Sequence, residues 1–125
     1  MATVQSTLVW NRAALEKGGA EACAGDRALS DLLLLHGMVM NGGVGHVPAV
    51  LTQVEVSAAI AGFRYFGMNE VAELLRGIEF AREQDFEHLD QMYGTFIASD
   101  STISDAFEAK LVASPEDFAP VEDEA

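Results

Sequence analysis

Three histidines, one cysteine and a run of carboxylates are the residues of this chain equipped for chemistry. His36, His46, His88 and Cys23 could ligate a metal with help from carboxylates. No pair of them stands at a His-x-x-x-His or Cys-x-x-Cys spacing, so no metal site is expected. Cys23 with His36 has the parts of a nucleophile and its base. The plainer reading is a small buried thiol, with His36 as a hydrogen-bonded histidine inside an apolar helix. Gly42-Gly43-Val44-Gly45-His46 is glycine-rich enough to suggest a phosphate cradle. It lacks a Gly-Lys-Ser/Thr ending, follows no strand, and would sit at a helix C-terminus, whose dipole repels anions. No catalytic group and no cofactor are expected.

The carboxylates are more informative. Glu79, Glu83 and Glu87 stand four apart, with Asp85 and Asp90 beside them and Arg82 partly offsetting them. On one continuous helix they would form a ladder with a rise of about 6 Å per step. Duplex DNA carries a phosphate about every 3.4 Å along each strand, so the ladder is about half as dense. Matching DNA needs more acids on the same face, with Glu70, Glu73, Asp105 and Glu108 as candidates. A solvated helix face is the simpler alternative.

Composition points the same way. The chain has 125 residues, with 7 Lys plus Arg against 20 Asp plus Glu, for a net charge of −13. Charged residues are 22% of the chain, near the usual proportion of about 25%, so the chain is lopsided in sign and not rich in charge. Direct nucleic-acid binding is disfavoured because phosphates must be neutralised by cations. Docking on anionic membranes is disfavoured for the same reason. A basic protein surface would be attracted. A lone cysteine excludes an intramolecular disulfide and fits a reducing compartment. No signal-like N-terminus and no membrane-length apolar run is present, so the expected location is cytoplasmic.

These side chains must be placed by helices, since strand-like alternation is absent and apolar residues recur at helical spacing. The spacing predicts helices over about residues 4–17, 27–40, 52–66, 69–78, 85–96 and 102–113. The expected architecture is all-α: a compact single-domain bundle of five to six helices over residues 1–120, with a short acidic, fraying tail over 121–125. Leu8, Trp10 and Leu15 are the expected anchors of the first helix, and Asp26 the N-cap of the second. Asn41-Gly42-Gly43 should end that second helix and turn the chain, because glycine and asparagine tolerate positive φ. Residues 44–51 form a connection with room for a short helical turn. Thr52-Gln53-Val54-Glu55 matches a capping box. The helix it opens is almost uncharged and is the candidate for the central one, with Ala58, Ala59 and Ala61 permitting close packing. Asn69 and the Thr102-Ile103-Ser104-Asp105 stretch read as further caps. Ser114-Pro115 should stop the last helix and let Phe118 fold back on the core.

The order of these features resembles a bacterial family of small helical domains of unknown function that includes a DNA-mimic protein, the DMP type. The residues that carry the likeness are the apolar helix ending in Asn41-Gly42-Gly43 and the helix pair joined at Phe66-Gly67-Met68-Asn69-Glu70. Leu89-Asp90 with Tyr93 and the closing Ser114-Pro115-Glu116-Asp117-Phe118 complete it. The sequence departs from the family at Val44, where an aromatic usually follows the glycines, and at Gly45-His46-Val47-Pro48. The resemblance implies an all-α fold, often dimeric, without known catalysis. For one member it implies an acidic face that competes with DNA for a DNA-binding protein.

The leading expectation is therefore a non-enzymatic acidic interaction domain, with a DNA mimic as its sharpest form and a basic protein as partner. Its acidic face comprises Glu70, Glu73, Glu79, Glu83, Asp85, Glu87 and Asp90. The alternative is an immunity-type or regulatory binding module acting through an apolar surface, as a homodimer or with another partner. A small enzyme using His36, His46 or His88 with a nearby acid is a third reading, which no motif supports.

Overall fold

The computed structural model describes residues 3–121, and the expected acidic tail beyond Val121 lies outside them. Seven α-helices follow one another: α1 (Val4–Glu16), α2 (Ala24–Gly42), α3 (His46–Val50), α4 (Gln53–Tyr65), α5 (Asn69–Arg76), α6 (Phe86–Phe96) and α7 (Asp100–Ala113). Short 3₁₀ turns occupy Ile78–Phe80, Glu83–Asp85 and Pro115–Asp117, and no strand occurs among the described residues. The all-α expectation holds, but the count of five to six helices was low. The seventh is α3, where Pro48 is accommodated because N–H groups of a helix's first turn need no intrahelical acceptor.

The helix at the centre is α2, which touches α1, α3, α4 and the last 3₁₀ turn, rather than α4 as expected. Leu29, Leu32 and Leu35 on α2 are fully buried. The α2–α4 pair is close because of Ala59 and Gly62: a Cβ on Gly62 would stand 2.5 Å from the Ala28 carbonyl oxygen. Ala61 faces outward. The Thr52 capping box forms, with Thr52 Oγ1 accepting the Glu55 N–H and Glu55 returning the bond.

Several local expectations need correcting. On α1 the inward stripe is Ser6, Val9 and Ala13, while Leu8 and Leu15 lie off that stripe and are exposed. Trp10 is half-buried, edge-on to Phe107. Helix α2 starts at Ala24 with Cys23 as N-cap, so Asp26 stands in the first turn, three residues past the cap. Cys23 is half-exposed at that helix start. Met68 occupies the N-cap position of α5, and Asn69 is its first residue. Helix α7 opens two residues early, with Ser99 in the N-cap position. Pro115 does end that run, and Phe118 packs against Phe66 and Phe107.

Candidate functional site

The acidic ladder does not form. Helix α5 stops at Arg76, Gly77 follows, and Ala81 and Arg82 are extended. The cause is the apolar pattern. Ile78 is buried at 2% exposure, and no further inward stripe exists between it and Phe86 to hold a helix. Glu79 lies in one 3₁₀ turn, Glu83 and Asp85 in another, and Glu87 in the first turn of α6. Glu83, Asp85 and Glu87 are exposed and gather where α6 begins, an end whose dipole favours negative charge. Asp85 also accepts the Arg82 N–H at 3.0 Å.

The remaining acids divide. Glu70 is exposed in the first turn of α5. Glu73 is held by Arg64 at 2.6 Å and Arg76 at 3.1 Å. Hydrogen bonding from Arg76, with its charge and that of Arg64, keeps the Glu73 carboxyl below the usual glutamate range. Asp90 turns to the backbone: its Oδ1 accepts the Val44 N–H at 2.6 Å. The Asn41-Gly42-Gly43 turn lies beside it. Asn41 and Gly42 still belong to α2, and Gly43 makes the turn at φ +81° while donating to the Val39 carbonyl. A Cβ on Gly43 would stand 3.0 Å from Asp90, and one on Gly45 would collide with Phe86 at 2.5 Å. The glycine-rich loop is thus packed against α6 and latched by Asp90.

His36 is tied into a side-chain network. His36 Nδ1 lies 2.7 Å from the Tyr93 hydroxyl, and its Nε2 lies 3.5 Å from Asp100. With Tyr93 donating, Nδ1 is the acceptor, and the chain of three ties α2 to α6 and α7. Burial raises the Tyr93 phenol pKa above its ordinary value. No group of three His, Cys, Asp or Glu among the described residues could hold a metal ion.

Sequence reasoning missed the ion pair at the start of α2. Asp26 is wholly buried, and its carboxylate accepts from Arg12 at 2.8 Å, the Cys23 N–H at 3.0 Å and the Ala119 N–H at 2.7 Å. Arg12 also donates to the Ala119 and Pro120 carbonyls. A nearby hydrogen bond from Tyr65 to Asp117 pins the same closing segment, and burial with that bond raises the Tyr65 pKa. The signal was faint: Asp26 was the right residue for a helix start, but its arginine is fourteen positions away.

Sequence reasoning also missed a groove of about 800 Å³ running along α2 between α1 and α4. Trp10, Leu15, Leu33, Leu34, Met38 and Val54 line it, with Leu15 80% and Val54 79% exposed. Lys17, Arg27, Asp31 and Glu55 supply its charges. A second hollow of about 420 Å³ lies between α4 and α5, walled by Leu51, Val56, Ile60 and Leu75, with Phe80 at its edge. No described helix is long and apolar enough to cross a membrane. No family model matches the chain, and no curated protein or solved structure matches it.

Proposed function

We propose that this chain is a non-enzymatic interaction domain that offers an acidic surface to a basic protein, a DNA-binding protein among the candidates. The observation that carries the reading is where the cations go. Arg12 serves Asp26, Arg64 and Arg76 share Glu73, Arg27 donates to the Ala22 carbonyl, and Lys110 sits over the Tyr65 ring. Five of the 7 cations are thus engaged within the chain, against 20 acids. Glu70, Glu83, Asp85 and Glu87 remain exposed, and a positive surface is the complement they fit. The resemblance read from the sequence to the DNA-mimic type points the same way, with separate acidic clusters in place of one ladder.

The test is displacement of a DNA-binding protein from labelled DNA by this chain. Displacement should fade as salt rises, because charge-driven contacts are screened. It should fall sharply in a variant carrying Glu83→Gln, Asp85→Asn and Glu87→Gln. Binding that persists unchanged in high salt, or in that variant, refutes the acidic-face reading.

A second reading, of a binding module that works through an apolar surface, is favoured by the groove along α2. Leu15, Leu34 and Val54 are large apolar side chains left exposed around one hollow. A partner helix or a second copy of the chain is what such a surface takes.

A further inference from the structure

We propose that the groove along α2 receives an amphipathic helix from a partner protein, lying antiparallel to α2 with acidic residues in its C-terminal turn. This deepens the second reading above and rests on it. Leu33, Leu34 and Met38 of α2 make the floor, with Leu15 and Val54 on the two flanks. Gly37 sits in that floor with nothing within 4 Å of where its Cβ would be, which leaves a notch for an incoming side chain. Floor and flanks therefore have the form that helix-in-groove recognition uses, apolar anchors entering a trough between helices.

The charges give the trough a direction. Lys17 follows the end of α1 and Arg27, whose bond to the Ala22 carbonyl leaves its charge unneutralised, stands near the start of α2, so both cations occupy one end. Gly62, late in α4, lies against Ala28, early in α2, so α4 runs antiparallel to α2. Glu55, in the first turn of α4, therefore stands at the opposite end, near Met38. Asp31, four residues beyond Arg27, offsets part of that cation and leaves Lys17 the larger share of the positive end. A helix carries roughly half a negative charge at its C-terminus and half a positive one at its N-terminus. The C-terminal turn, with any acids in it, is drawn to Lys17 and Arg27, and the N-terminal turn to Glu55. The reverse orientation sets like charges together at both ends.

Trp10 is the chain's single tryptophan and lines the groove, so its emission reports occupancy directly. The probes are two hydrocarbon-stapled helical peptides of roughly three turns with one leucine face and the same composition. One carries glutamates in its last turn and lysines in its first; the other carries the reverse. The full-length chain should bind the first with a Kd about tenfold lower. Lys17→Glu with Arg27→Glu should abolish or invert that preference, and Leu34→Asp should abolish binding of both. These positions are at the surface, and circular dichroism confirms that each variant is folded. Equal affinity for the two peptides, or a preference unmoved by the Lys17 and Arg27 changes, overturns the orientation and leaves the apolar-surface reading standing. No change in Trp10 emission with either peptide overturns that reading and this inference together.

Discussion

Asn in place of Asp26 tests the buried ion pair with almost no change in volume. The carboxylate is fully buried, and its two oxygens have different duties. Oδ1 takes the Arg12 guanidinium, and Oδ2 takes the N–H groups of Cys23 and Ala119. An asparagine can serve only one side. With its carbonyl oxygen toward the backbone, its amide N–H groups face the guanidinium, donor against donor. Flipped, it leaves two backbone N–H groups without an acceptor. Breaking one partner of a buried pair costs about 3–5 kcal/mol. Arg12 retains 17% side-chain exposure and keeps two carbonyl acceptors, which places the loss at the lower end, about 3 kcal/mol. At this chain length 1 kcal/mol moves Tm by roughly 3–5 °C, so a fall of about 10 °C is expected. Urea denaturation followed by circular dichroism measures the free energy, and calorimetry measures Tm. Arg12→Met and the double variant close the cycle, with a coupling of at least about 1 kcal/mol expected. A loss below about 1 kcal/mol for Asp26→Asn would show that the pair is incidental and refute the reasoning.

Gly25→Ala should destabilise by about 2 kcal/mol, since the new Cβ would stand 2.6 Å from the Phe118 ring, and overpacking of this kind costs 1–3 kcal/mol; limited proteolysis should then cut the closing segment faster. Asp90→Ala should cost about 1.5–2 kcal/mol by removing a charged acceptor from the Val44 N–H, with faster hydrogen exchange at that amide as the check. Burial raises the Asp31 carboxyl above its ordinary value of 3.8, with Arg27 opposing. A raised folded-state value means that its contribution to stability is fully present below 3.8 and is lost as pH rises through the folded-state pKa. Asp31→Asn should therefore be more stable than the parent at neutral pH, with the difference vanishing in acid, as measured by Tm against pH.

Helices were legible where one residue's chemistry decides the outcome. Thr52 with Glu55 announces a helix start, Pro115 announces a stop, and both are where the spacing put them. The Asn41-Gly42-Gly43 turn was legible to within two residues, because only Gly43 needs the positive φ. Errors came where neighbours far along the chain decide. Leu8 and Leu15 are as apolar as Val9, and only the position of α2 selects which of them is covered. Asp26 was right in kind for a helix start, yet its burial depends on Arg12 and on the backbone of Ala119, which fold back from both sides. The acid ladder failed for a related reason. A spacing of four between carboxylates says nothing about whether an apolar stripe exists to keep the helix going. The groove was illegible because three helices contribute to it, and none of them alone looks incomplete.

The two candidate surfaces differ in what sets their shape. The groove is cut into α1, α2 and α4, whose inward faces are held by wholly buried residues such as Leu29, Leu32, Ala59 and Phe63. Its form should therefore persist whether or not a partner is present. The acidic cluster at the start of α6 rests on less: a 3₁₀ turn, the Asp85 bond to the Arg82 N–H, and the Asp90 latch that joins α6 to the Gly43 turn. Asp90 lies three residues beyond Glu87 on the same helix, so loosening the latch moves Glu87 with it. Asp90 is itself exposed, so neutralising it should weaken acidic-face binding twice over, by removing its charge and by loosening the latch, while leaving peptide binding at the groove unchanged. That split separates the acidic face from the groove as the surface a given partner uses.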